Sequence, residues 1–221
     1  MRWHFGDRLD DVGVCPFPET VLTQVHGTAV VVVSEPGSST GVEADALVTT
    51  AVGAGLAIRT ADCAPVLFAG RRAARDRAGS GAGERDGDGS IIGAAHAGWR
   101  GLYEGVIERT VATMRALGAV DIEWRMGPCI SPESYEFSPA DLTTLALRFG
   151  PDVVAATGSG SPALDLPAAV RVAVAEAGLG ATSETPPCTA TARGADGAPQ
   201  YFSWRARGDG GRQMSRIWIE P

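Results

Sequence analysis

From Thr20 onward, short apolar runs alternate with turn residues, which is the pattern of a sheet-rich chain. Residues 21–25, 29–33, 46–49, 56–60 and 64–68 predict strands, with His26-Gly27 as the turn between the first two. Residues 90–95 predict a further buried strand. Tyr103, Ile107, Val111 and Met114 then recur on one face at helical spacing, while Glu104, Glu108 and Arg115 fall elsewhere, so a helix starts near Gly101 and stops at Gly118. Residues 121–126 predict a strand that ends at Gly127-Pro128. Residues 139–149 and 167–177 predict helices stopped by Gly150 and Gly178, and strands are expected at 200–204 and 214–219. Residues 71–89, rich in Arg, acids and Gly with almost nothing to bury, predict a mobile surface loop. No repeat or sharp change of composition divides the chain, so residues 1–221 are expected to form one α/β or α+β domain with mixed strand order.

Composition narrows the function. The chain has 221 residues, 44% hydrophobic and 20% charged, enough for a sizeable core. All 19 basic residues are arginine against 26 acidic ones, a net charge of −7. Without lysine there is no Schiff-base chemistry and no P-loop lysine, and an acidic chain without a basic block is a poor duplex nucleic-acid binder. The longest aliphatic run, residues 29–33, is far short of the roughly 20 residues that cross a bilayer. Residues 1–11 contain no apolar stretch of a secretory signal. A cytoplasmic protein that binds no membrane is expected. Four scattered cysteines without a CxxC suggest free thiols rather than a disulfide framework or zinc ribbon.

Three histidines can be weighed singly. His4 has no pattern around it. His26, between two strands and before a glycine, suits either a turn or a ligand pointing into a cleft. His96 ends a buried strand within Ala94-Ala95-His96-Ala97-Gly98-Trp99-Arg100-Gly101, where small residues leave room around the imidazole. Cys63 also ends a run, beside Asp62, and a neighbouring carboxylate raises a thiol pKa rather than activating it. A divalent cation would hold that sulfur as thiolate, and His26, Cys63 and His96 form a three-ligand set with a fourth position left for water or substrate. Their separations match no local finger pattern, so spacing alone leaves packing and ligation both open. Gly127-Pro128-Cys129-Ile130 followed by Tyr135-Glu136 suits a structural corner. Arg59, Arg100, Arg205 and Arg212 flank glycines or strand ends, where a guanidinium can hold an anion, although most surface arginines do not.

Several ordered blocks together resemble the laccase-domain family. They are Gln24-Val25-His26-Gly27, Glu43-Ala44-Asp45-Ala46-Leu47-Val48-Thr49, Thr60-Ala61-Asp62-Cys63-Ala64-Pro65-Val66-Leu67 and Ala95-His96-Ala97-Gly98-Trp99-Arg100-Gly101. Gly127-Pro128-Cys129-Ile130 with Tyr135-Glu136, and Tyr201-Phe202-Ser203-Trp204-Arg205 with Gly211-Arg212, follow in order. The family includes purine nucleoside phosphorylases, formerly called multicopper polyphenol oxidases, and the peptidoglycan editing factor. The resemblance implies a mixed-sheet layered sandwich of the cytotoxic-necrotising-factor type. It also implies a zinc or copper site at His26, Cys63 and His96, and catalysis by Cys63, His96, Asp62 and Arg100. Implied substrates are purine nucleosides and phosphate, with phosphorolysis of adenosine, inosine, guanosine and methylthioadenosine and hydrolytic deamination of adenosine. Arg100 is the first choice for the substrate anion, with Arg8 second; Asp62 would orient a ligand or act as a base.

One departure stands out. Family members open on a Phe-Thr-x-Arg-x-Gly-Gly-Val-Ser block and an Asn-Leu-Gly block, whereas here Phe5-Gly6-Asp7-Arg8 resembles a remnant of the first and the second is missing. The alternative is a cysteine-type hydrolase, with Cys63 as nucleophile and His96 as base, that edits peptidoglycan precursors. A non-catalytic protein with a decayed nucleoside site is a third reading. A true four-copper laccase is excluded, because three histidines are too few.

Overall fold

The computed structural model describes residues 1–9, 14–73, 89–182 and 184–221. Eleven strands are present among them: β1 Arg2–Phe5, β2 Glu19–Val21, β3 Val30–Val33, β4 Ala46–Thr49, β5 Gly55–Thr60, β6 Ala64–Arg72, β7 Ser90–Ala97, β8 Ala119–Met126, β9 Val154–Ala156, β10 Pro162–Leu164 and β11 Gln213–Trp218. The helices are α1 Trp99–Glu104, α2 Val106–Ala116, α3 Pro139–Phe149, α4 Leu166–Glu176 and α5 Trp204–Arg207. A five-stranded sheet in the order β3-β4-β7-β6-β8 lies between a layer of helices and a four-stranded sheet in the order β1-β11-β5-β2; β9 and β10 form a small hairpin. Both large sheets are mixed, since β3 pairs with β4 and β2 with β5 in parallel while the other neighbours are antiparallel.

Period-two alternation explains why the central strands read as continuous apolar runs. Ala46, Val48, Val66, Phe68, Ile91 and Ala95 face the helices, packing against Ile107, Val111 and Met114 of α2 and Val170 and Ala173 of α4. Their neighbours Leu47, Leu67, Ala69, Ile92 and Ala94 turn the other way, into a second core with Leu56, Ile58 and Ile217 of the outer sheet. With both faces covered, neither parity needs to be polar. Ser138 and Asp165 cap α3 and α4 by accepting the N–H groups of Asp141 and Ala168.

The elements depart from the sequence pattern at several points. β6 continues through Arg71 and Arg72, which pair with Val120 and Ala119 of β8, because ladder bonding does not require apolar side chains; residues 74–88 of the expected loop lie outside the described residues. The first expected strand is displaced to β2, with only an isolated Thr23–Glu43 bridge beyond it. The expected helix from Gly101 to Gly118 is broken at Gly105, which adopts φ +96° between α1 and α2. Residues 204–207 form a helical turn in place of the end of a strand, because the Ser203 side chain accepts the N–H of Ala206. His4 is part of β1, opposite Arg216 of β11.

α2 crosses β7 at Gly93, where an added Cβ would lie 2.9 Å from Met114 Sδ and 3.3 Å from Thr110 Cγ2. Gly93→Val therefore overpacks this crossing. It is expected to destabilise the chain by about 1–3 kcal/mol, read as a lower urea midpoint, while an unchanged midpoint would contradict the close approach.

Candidate active site

The β4–β7 pairing sets the first half of the site. The register that places Ala46 opposite Ala95 brings Asp45 beside His96. The His96 backbone N–H donates to the Asp45 carbonyl at 2.8 Å, and His96 Nδ1 lies 2.8 Å from Asp45 Oδ1. The same carboxylate, fully buried, accepts the backbone N–H groups of Val25 at 3.2 Å, His26 at 2.9 Å and Gly27 at 2.7 Å. To converge on one anion those amides need a curled loop, and His26 adopts the left-handed φ of +62°. The His26 ring then stands edge-on to His96, with centroids 4.7 Å apart.

Cys63 enters from the β5–β6 connection, with its Sγ 3.8 Å from His26 Nε2. Gly98 makes this meeting possible, since a Cβ there would lie 2.7 Å from His26 Cδ2 and 3.2 Å from Cys63 Sγ. Gly101 does the same for the loop backbone, where a Cβ would lie 2.6 Å from the Gly27 carbonyl oxygen. One donor atom from each of His26, Cys63 and His96 falls within 4.8 Å of the others. The spaced glycines of the motif around His96 are thus sites of close backbone approach.

Burial pushes the Cys63 thiol up, but the neighbouring His96 and the hydrogen bonds of both imidazoles outweigh it and pull the thiol down to about 6. Burial pulls His96 down, and the Cys63 sulfur and Asp45 carboxylate together raise it to about 9. For Asp45, burial alone would raise the pKa; the bonds from His96 and the loop amides more than reverse that. In the metal-free chain the pair accordingly favours thiolate and imidazolium at neutral pH.

The cluster opens into a cleft of about 650 Å³ whose lining includes Thr23, Gln24, Arg59, Asp62, Tyr135, Trp204, Arg205 and Arg212. Asp62, at φ +99°, accepts Thr189 Oγ1 at 2.7 Å through one carboxylate oxygen and the Arg205 backbone N–H at 2.7 Å through the other. It braces the far wall of the cleft onto the residue before Cys63. Arg205 donates to the Glu136 carbonyl at 2.7 Å and lies over the Tyr135 ring.

Two arginines singled out from the sequence lie elsewhere. Arg100 stacks 4.4 Å over the Trp99 ring at the start of α1 and is absent from the cleft lining. Arg8 pairs with Asp209 at 3.0 Å and lies over Phe202, again outside the lining. Both are held by aromatic faces, while Arg59, Arg205 and Arg212 occupy the cleft. The residue that sequence reasoning missed is Asp45; it adjoins the fully buried strand β4, where a carboxylate demands partners, but Glu43 lies two residues away and only the sheet register tells the two acids apart.

The family profile described as multi-copper polyphenol oxidoreductase laccase matches residues 8–220. The chain belongs to this family. Within it, a purine nucleoside phosphorylase of Streptomyces coelicolor is 34% identical over 212 residues, covering 95% of this chain and 78% of the relative. A purine nucleoside phosphorylase of Corynebacterium glutamicum is 32% identical, covering 96% of this chain and 79% of the relative. Among solved structures, Neisseria meningitidis protein NMB0706 superposes with a TM-score of 0.69 at 29% identity, over 93% of this chain and 76% of that one. YlmD of Geobacillus stearothermophilus gives a TM-score of 0.68 at 27% identity, over 92% and 74%. The layered mixed α/β architecture is thus shared with members of the laccase-domain family.

Two outcomes are expected from this geometry. Asp45→Asn should lower metal affinity about 10–100-fold, measured by competition with a chelator, because the His96 ring loses its charged partner; undiminished affinity would contradict the orienting role. In metal-free protein, alkylation of Cys63 followed by peptide mapping should rise with pH through a midpoint near 6, since the thiolate reacts. His96→Ala should move that midpoint toward about 8.5, and a wild-type midpoint already there would contradict the pairing.

Proposed function

We propose that the chain is a metal-dependent purine nucleoside phosphorylase acting on adenosine, inosine, guanosine and methylthioadenosine, with hydrolytic deamination of adenosine in the same cleft. The observation that carries the reading is the convergence of His26, Cys63 and His96 at a cleft lined by three arginines, in a chain whose relatives are named purine nucleoside phosphorylases. Two imidazoles and a thiol are a fitting donor set for zinc, with copper second, and 3.8 Å between Cys63 Sγ and His26 Nε2 is close to the edge of a tetrahedron with arms of about 2.0 and 2.3 Å. The Asp45–His96 bond is the carboxylate–histidine arrangement that orients metal-bound imidazoles.

When bound, a divalent cation supplies Lewis acidity at the open position. The protein's own residues do the rest. Asp45 holds Nδ1 of His96 and leaves Nε2 for the cluster. Arg59, Arg205 and Arg212 make the cleft attractive to phosphate and offset its charge as a phosphate oxygen bonds to the ribose anomeric carbon and the glycosidic bond to the purine breaks. These three replace Arg100 and Arg8 as the anion-holding residues in this reading. Asp62, with both oxygens engaged, positions the cleft wall and is not assigned as a base. Free thiols at all four cysteines suit the cytoplasm, where the substrates are met.

Purine release from a nucleoside panel, with and without phosphate, tests the reading on protein of known metal content. Phosphate-dependent release should fall at least about 100-fold in His96→Ala and on metal removal, a loss of about 2.7 kcal/mol in transition-state stabilisation. Full turnover without metal would contradict it. A second reading, a cysteine hydrolase editing peptidoglycan precursors, is favoured by the lowered Cys63 pKa beside His96. Amidase activity that requires metal-free Cys63 and disappears on alkylation would select that reading instead.

A further inference from the structure

Trp204 is the most exposed aromatic residue among those described, at 61%, and it lines the cleft that holds the cluster. Leaving an indole in water forgoes the burial of a large apolar surface, so an exposed tryptophan within a concave site invites a ligand with an apolar face. The backbone beneath it is firmly held. The Arg205 N–H is bonded to Asp62 Oδ2 at 2.7 Å, and the Ala206 N–H to the Ser203 side chain. The Arg207 guanidinium donates to the carbonyls of Thr189, Ala190 and Tyr201, and the Asp209 carboxylate accepts from the Ser203 N–H and Arg207. Because Asp62 immediately precedes Cys63, the segment that presents the indole is tied to the backbone that presents the thiol.

We infer that Trp204 is the platform on which the purine base of the substrate stacks, setting the base against the indole and the ribose toward the His26–Cys63–His96 cluster. This rests on the phosphorylase reading and adds the recognition of the base. Three arginines and one indole lining the same cleft match two substrates that meet there, a neutral nucleoside with a planar ring system and the anion that displaces its base. Stacking tolerates base identity because every base has a π-face, so one platform serves adenine, hypoxanthine and guanine alike. Trp204 therefore provides affinity for purines as a class, and discrimination among them lies elsewhere.

The test compares full-length, metal-loaded wild type with Trp204→Ala and Trp204→Phe. The KM for adenosine, inosine and guanosine should each rise about 10-fold in the alanine variant and return to within about threefold of wild type in the phenylalanine variant. The KM for phosphate and kcat should stay within about threefold, since the platform binds ground and transition states alike. Calorimetric titration with inosine should show the same loss of affinity. Unchanged nucleoside KM and affinity in Trp204→Ala would overturn the inference while leaving phosphorolysis standing. If wild type turns over no nucleoside, the phosphorylase reading fails and the titration alone decides: inosine binding weakened by Trp204→Ala supports the platform, and absent or unaltered binding overturns it.

Discussion

The Asp45 carboxylate accepts hydrogen bonds from three consecutive amides and one imidazole in a place closed to water, and the candidate site is built around that constraint. A buried carboxylate without partners is too costly to persist, so the loop after β2 must bring its N–H groups inward, and His26 takes a left-handed backbone to let them converge. Antiparallel register supplies the fourth donor, because pairing Ala46 with Ala95 leaves Asp45 beside His96. One anion thereby joins a loop, the start of β4 and the end of β7. Glycines at 98 and 101 then allow the loop to settle against the next turn of chain.

A second carboxylate carries the organisation across the cleft. Asp62 binds Thr189 and the backbone of α5, so the C-terminal segment with its indole and arginines is anchored next to Cys63. The two acids divide the labour: Asp45 arranges the histidines, and Asp62 arranges the wall that faces them. Both act through positions their hydrogen bonds fix, which places the electrostatic character of the cleft under backbone control. The coupled pair of Cys63 and His96 follows from the same packing, since neither would be shifted so far without the other at close range.

The central strands were legible because burial on both faces produces apolar runs such as residues 64–68 and 90–95, and the helix from Val106 was legible from its 3.6-residue period. The N-terminal strand was not, because Arg2 to Phe5 is a short edge strand whose place is set by β11, far along the chain. α5 was hidden for a related reason: Phe202 and Trp204 suit a strand locally, and the Ser203 cap with the distant Asp62 decides for a helical turn. Within the site, His26, Cys63 and His96 could be picked out as scarce reactive residues at element ends, while the family resemblance joined them. Their supporting acid could not be chosen from sequence alone, since Asp45 becomes informative only when the sheet register puts it against His96. The arginines show the same limit. Arg100 adjoins the histidine motif in sequence, yet helix α1 carries it onto Trp99, whereas Arg59 and Arg212 reach the cleft from distant segments.

In the proposed reading the carboxylate-ordered cluster of His26, Cys63 and His96 is a metal centre. X-ray absorption at the metal edge of zinc-loaded protein, with stoichiometry measured on the same sample, addresses it most directly. One metal per chain is expected, with one sulfur at about 2.3 Å and two imidazole nitrogens at about 2.0–2.1 Å. A shell without sulfur, or no stoichiometric binding, would contradict it.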